Sequence, residues 1–274
     1  MIRLVAVLGL LSLIHGVKLE AKAPAAGDKA EVQIESAVDL EVRVIDSSAT
    51  PQVRTSSVIR TEKFTHSVTD VSAKGSTLKV LCTSSTLQRS GTNTPLTTEK
   101  TELDGKTFWV VRAASNTVKN DDGSAAPAGA WSLGSWEDFG KLLPKNEVEI
   151  GATWPLEAAN LSGLIGAGNL GDVKSSITGK LDSVDGDRAT LSFSGSVTGK
   201  SAEGFDVKLT LDECKMMFDK AKGRPQSFTV KATMEAVKKI TQSVADPRAH
   251  KIKEEQIGEA RIKSTKFEVT VTYR

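Results

Sequence analysis

The strongest constraint in this sequence is a hydrophobic pattern of period two that keeps returning. Val38, Leu40, Val42 and Val44 alternate with Asp39, Glu41 and Arg43. Ala189, Leu191 and Phe193 alternate with Thr190, Ser192 and Ser194. Phe228, Val230, Ala232 and Met234 do the same, and so do Phe267, Val269, Val271 and Tyr273. An extended backbone turns successive side chains to opposite faces, so each run predicts a strand with one buried face. Val207, Leu209 and Leu211 begin a further strand that runs through Cys214 and Met216 toward Phe218. Asp185-Gly186 and Lys222-Gly223-Arg224-Pro225 supply turns between such runs. Strand follows strand at hairpin spacing, which favours antiparallel pairing. The expected fold is mainly β: one large, curved antiparallel sheet, half-barrel or clam-like, with one or two short helices.

The remaining segments fit this scheme with less regularity. Residues 53–71 read as one long strand or two short ones. Residues 76–87 read as a strand with Leu78, Val80 and Cys82 on one face. Residues 88–98 read as a loop, and Asp104-Gly105 is the strongest short hairpin signal. Residues 107–111 form a densely apolar strand. Residues 120–129 are the best loop or hinge, and an internal boundary, if the chain has one, falls there. Residues 234–243 suit a helix by propensity, but the alternation before them favours strand. Residues 245–255 read as a loop, and 24–34 as a small, polar lead-in. A chain end that reads as a strand, as residues 267–273 do, is expected to be tied into the sheet.

Residues 131–154 carry the clearest helix signal. Ser135 suits an N-cap, and Glu137 and Asp138 follow in the first turn, where the helix dipole favours acids. Trp136, Phe139, Leu142 and Leu143 share one helical face, and Pro144 ends the helix. About two turns cannot stand alone in water, so the apolar face must dock on the sheet. Trp131, Trp136 and Phe139 are then either a plug in the open end of the β core or an aromatic ligand platform. A second short helix fits residues 156–164.

Met1-Ile-Arg3 followed by the apolar run 4–14 has the form of a secretory signal, too short to span a bilayer. Cleavage is expected after Gly16 or near Ala21-Lys22-Ala23; residues 1–23 are read as the signal peptide and 24–274 as a single β-rich domain. Removing residues 1–23 takes away Arg3, Lys18, Lys22 and Glu20, and the chain's 36 basic and 34 acidic residues fall to 33 of each. A neutral chain with scattered charge lacks the footprint of a nucleic-acid binder. In an oxidising compartment Cys82 and Cys214 could form one disulfide, or stand as two separate buried thiols.

No catalytic constellation stands out. Gly166 to Gly171 spells the G-x-G-x-x-G dinucleotide pattern, but that pattern needs a strand before it and a helix after it. Here a hairpin strand follows, so a glycine-rich loop is expected and no cofactor. Asp182, Asp185 and Asp187 read as a solvated hairpin tip rather than a calcium loop. His66 and His250 have no partner at metal-ligand spacing, so no metal is expected. Without a G-x-S-x-G elbow, a hydrolase is the least favoured class.

Two stretches carry a family resemblance. One is Val148-Glu-Ile-Gly151-Ala-Thr-Trp154; the other runs from Leu209 to Phe228 through Phe218-Asp219 and Gly223-Arg224-Pro225 to Ser227. They resemble a group of uncharacterised secreted bacterial proteins with a VxxGxxW stretch and an FD…GRPxS hairpin. More distantly, the hairpin resembles the curved-sheet carriers of the LolA and LppX type. The resemblance implies a long sheet folded over a cavity for acyl chains. It transfers no ligand residue, and a lipid-attachment cysteine is lacking.

The reading that follows is a secreted or periplasmic, non-catalytic envelope protein with an interior for an apolar small molecule or lipid, near Trp131, Trp136 and Phe139. An envelope-protein partner is the rival expectation, served by a module with a solid core. Neither nucleic acid nor a membrane-spanning segment in the mature chain is expected.

Overall fold

The computed structural model describes residues 16–45, 51–72, 75–112, 117–127, 130, 133, 139–157, 170–246 and 251–274. Among the described residues thirteen strands run in chain order: β1 (Lys29–Ile45), β2 (Pro51–Ser72), β3 (Gly75–Gly91), β4 (Thr94–Lys100), β5 (Thr107–Arg112), β6 (Thr117–Asn120), β7 (Thr153–Pro155), β8 (Gly171–Ser175), β9 (Thr178–Asp185), β10 (Arg188–Lys200), β11 (Asp206–Asp219), β12 (Arg224–Asp246) and β13 (Lys251–Tyr273). They form one antiparallel sheet in the order β6-β5-β3-β2-β1-β13-β12-β11-β10-β9-β7, with β4 added on β3 and β8 on β10. The sheet is open, because its ends β6 and β7 do not meet. It takes strands from both halves of the chain. The seam is the pairing of β1 with β13, which ties down the C-terminal strand from Ala30↔Tyr273 to Val44↔Gly258.

The curvature has a local cause. On β11 the inward side chains Val207, Leu209 and Leu211 give way to Cys214, Met216 and Phe218, a change of phase by one residue. The register against β12 shifts between Leu211 and Glu213, where β11 bulges. On β13 the inward set changes phase across Thr265, where the register against β1 steps from Ala37↔Lys266 to Val38↔Ser264. Bulges of this kind bend a strand and increase its twist. The inner face therefore curls over on itself. Phe108 and Val110 of β5 share one buried cluster with Met216 and Phe218 of β11.

Several expectations need correction. β1 begins at Lys29, inside the segment expected to be a lead-in. The expected loop at 88–98 is a hairpin: β3 runs to Gly91, Thr92 and Asn93 turn, and β4 returns. Asn93 sits at φ 67, a left-handed conformation that Asn tolerates better than most residues. Asp104-Gly105 does form a turn, with Gly105 at φ 70, but it joins no hairpin. β4 and β5 both pair with β3, one after the other, so the turn belongs to a loop between two collinear strands. The expected loop at 245–255 is shorter, since β12 and β13 stay paired to Asp246↔Lys251. In the described part of the expected helix there is a single 3-10 turn, Phe139–Leu142. The second expected helix, at 156–164, falls almost entirely outside the described residues.

Candidate functional site

The site forms where residues 16–28 cross one end of the sheet. This strap is held at both ends by the two stretches that carried the family resemblance. Near its start, Val17 and Val148 exchange backbone hydrogen bonds of 2.8 and 3.1 Å. Leu19 follows, only 4% exposed in the core. Further on, the Lys22 amide donates to the Gly223 carbonyl at 2.8 Å, and Lys22 Nζ donates to the Ala221 carbonyl at 2.6 Å. The Gly27 amide and the Asp28 carbonyl then pair with Val68 of β2, each bond 2.9 Å. Asp28 forms an ion pair with Arg224.

The turn at residues 220–223 is itself capped. Asp219 accepts the Lys222 amide at 2.9 Å and, through its other oxygen, the Gln226 side-chain amide at 3.4 Å. The Lys222 hydrogen bond is the main reason its carboxyl is held below the usual carboxylate range. Gly223 lies at φ +67, and a Cβ there would stand 2.4 Å from Lys22 Cγ. Only glycine allows both the left-handed turn and the close passage of the strap.

The VxxGxxW stretch positions the opposite wall. Gly151, at φ 88, turns the chain so that its amide donates to the Leu181 carbonyl at 2.7 Å. Trp154 packs flat on Gly179, where an added Cβ would come within 2.5 Å of the indole. Its Nε1–H donates to the Leu142 carbonyl at 3.0 Å, which fixes the 3-10 turn that carries Phe139. The Phe139 ring meets Phe218 in a tilted pair at 6.4 Å between centroids and Tyr273 edge-on at 6.0 Å.

Between strap and turn lies a half-open cleft of about 600 Å³. Its floor is apolar, made by Val68, Phe139 and Tyr273 with Ala21, Ala23 and Pro24 of the strap. Its rim is basic, with Lys22, Lys29, Lys141, Lys222 and Arg224 against the single acid Asp28. The volume falls in the usual range for small-molecule sites. Nothing in this lining pairs a nucleophile with a base.

Of the three aromatics expected at a ligand site, Phe139 lines this cleft, while Trp131 and Trp136 lie outside the described residues. The cleft is at the end of the sheet rather than in its middle. Further in, the described core is filled by its own side chains, among them Leu78, Phe108, Leu142 and Phe228. Sequence reasoning missed the strap, because residues 16–23 were assigned to the signal. It also missed Lys22, Asp28 and Arg224 as partners across the chain.

Cys82 on β3 and Cys214 on β11 are free, buried thiols, so the disulfide expectation is corrected. Four strands lie between theirs, a path of about 24 Å along the sheet at the usual strand spacing. Burial, with help from the Glu62 charge, pushes the Cys82 thiol up to about 11. Burial alone pushes Cys214 up to about 12. The unfolded chain ionises these thiols near pH 9, whereas the folded chain holds both protons to about pH 11. Their contribution to stability is therefore complete below about pH 9 and is lost as the pH rises through 11 and 12. Urea midpoints measured from pH 8 upward are expected to fall in this window, and to fall less in the Cys82→Ala/Cys214→Ala variant. Equal slopes for both proteins would contradict this assignment.

A second polar cluster is buried under the loop between β4 and β5. Glu62 accepts from Arg60 at 2.6 Å and from the Ser85 hydroxyl at 2.9 Å, and Thr101 donates to Ser85 at 2.5 Å. The Ser85 amide donates to Asp104 at 2.9 Å. These bonds satisfy groups that would otherwise be buried and unpaired. His66 is buried on β2, and His250 lies outside the described residues. Of the G-x-G-x-x-G pattern, Gly171 opens β8, a strand where the dinucleotide motif needs a helix; 166–169 lie outside the described residues. Asp185 and Asp187 flank a hairpin tip, and Asp182 pairs with Lys180 at 3.1 Å. Among the described residues, no three His, Cys, Asp or Glu side chains gather in a way that could hold a metal ion. No described helix is long and apolar enough to cross a membrane.

No protein-family model matches the chain, and no curated protein matches it. Among solved structures, a lipovitellin described for its lipid–protein interactions is similar at 9% identity and a TM-score of 0.44, over 91% of this chain. This chain spans 25% of that lipovitellin's length. An outer membrane channel from Pseudomonas putida is similar at 8% identity and a TM-score of 0.20, over 93% of this chain and 98% of the channel. A FadL homologue from Pseudomonas aeruginosa is similar at 8% identity and a TM-score of 0.18, over 90% of each chain. Likenesses this loose carry no argument about function.

Proposed function

We propose that this protein is a secreted or periplasmic, non-catalytic binding protein that takes the apolar part of a small molecule or lipid into the cleft beside Phe139. The observation that carries the reading is the cleft itself: about 600 Å³, floored by Val68, Phe139 and Tyr273, and closed on one side by the strap. Burial of an apolar group there would be driven by the area removed from water, with little directional bonding required. Gly151, Trp154, Asp219 and Gly223 fix the two walls of this cleft. A purely structural end-cap would gain by filling it.

The test is a titration with the uncharged apolar fluorophore N-phenylnaphthylamine. Saturable enhancement is expected for the native protein. Phe139→Ala is expected to weaken it about tenfold or more, since a buried aromatic contact is worth over 1 kcal/mol. Leu96→Ala, at a side chain 63% exposed on β4, should leave it unchanged. Circular dichroism would confirm that both variants keep the sheet. No saturable binding by the native protein would remove the reading and favour the protein-interaction module, with β4 and its exposed face as the surface to probe.

A further inference from the structure

We infer that the ligand of this cleft is an amphipathic anion, whose carboxylate or phosphate head is held by the lysines of the rim while its tail lies on the aromatic floor. The inference rests on the apolar-ligand reading above and adds the head. Lys22 comes from the strap, Lys29 from the start of β1, Lys141 from the 3-10 turn and Lys222 from the β11–β12 turn. Four separate segments thus deliver four ammonium groups to one opening. This is no run of like charge in the sequence. The whole chain carries a formal charge of only +2, so the surplus at this rim is local. The lining's one acid, Asp28, is committed to Arg224. Like charges gathered at a half-open apolar cleft raise the local concentration of an anion and favour its binding there. Neutral apolar ligands gain nothing from them. An anion with no tail would have only exposed lysines to hold it, and such contacts are individually weak.

Displacement of N-phenylnaphthylamine separates the two levels of the argument. Dodecanoate and dodecanol share a tail and differ in head. At pH 8 and low salt, dodecanoate is expected to displace the fluorophore about tenfold more effectively than dodecanol. In the Lys29→Gln/Lys222→Gln variant, and in the native protein at high salt, that preference should shrink to about twofold or less. Displacement is referred in each protein to that protein's own fluorophore affinity. Equal displacement by dodecanoate and dodecanol would overturn the anionic head while leaving the apolar cleft intact. Failure of the fluorophore to bind the native protein would overturn both. Inorganic phosphate alone is expected neither to displace the fluorophore nor to raise the melting temperature. A phosphate-dependent rise that the double variant loses would assign the rim to a free anion and overturn the amphipathic ligand.

Discussion

Replacing Trp154 with alanine is expected to cost about 3–5 kcal/mol of folding stability and to abolish fluorophore binding together with it. The magnitude follows from a large aromatic buried to 8% exposure, whose removal leaves a cavity that Gly179 cannot fill. The second effect is specific to this site. Trp154 Nε1 is the donor that holds the Leu142 carbonyl, and the 3-10 turn beyond it carries Phe139. Trp154→Phe keeps most of the buried area and loses only that hydrogen bond. It is expected to cost about 1–2 kcal/mol and to weaken fluorophore binding by more than its stability loss alone would explain. Urea denaturation beside fluorophore titration measures both. A Trp154→Phe protein that binds normally would show that the indole is core packing without a part in forming the cleft.

Gly223→Val is the second large effect. A β-branched residue at φ +67 carries a backbone cost of about 1–2 kcal/mol. Its Cβ would also stand 2.4 Å from Lys22 Cγ and 2.9 Å from Lys22 Cβ, close to the strap's backbone rather than at the mobile end of the side chain. The strap must shift, and with it the bond from the Lys22 amide to the Gly223 carbonyl. A total loss of about 2–4 kcal/mol is expected, with proteolysis entering first between residues 17 and 25. Gly186→Val is the control. Gly186 also has positive φ, at 55, but nothing lies within 4 Å of its Cβ position, so the backbone cost alone should appear. Equal losses in the two variants would mean that the strap does not press on Gly223.

Much of the sheet could be read from alternation, because one buried face imposes period two. Even the bulges leave a trace. The step from Leu211 to Cys214, three residues instead of two, marks the place where β11 changes phase. What could not be read were features in which two signals conflict or a partner is distant. Gly and Asn in 88–98 suggest a loop, yet a two-residue turn at Thr92-Asn93 absorbs them and lets both strands continue. Asp104-Gly105 has the residues of a hairpin, but pairing is decided by β3, which is long enough to hold β4 and β5 end to end.

The site was half legible for the same reason. Phe139 was visible as an apolar residue in a short segment that had to dock, and Gly223-Arg224 as a turn. Their convergence was not. Arg224 meets Asp28 from far along the chain, and Val148 pairs with Val17. The apolar start of the chain also concealed the strap, because a signal peptide and a buried N-terminal segment have similar composition. Leu19, buried with Val17 packed beside it, belongs with the core that the cleft requires.

The most direct measurement is native mass spectrometry of the gently purified protein, before and after organic extraction. The account predicts an adduct of lipid-like mass on the native protein, lost on extraction, restored by dodecanoate and absent from Phe139→Ala. It also predicts a chain that starts at or before Val17. A bare mass for the native protein under the gentlest conditions, unchanged after incubation with dodecanoate, would contradict the claim that the cleft beside Phe139 is a binding site.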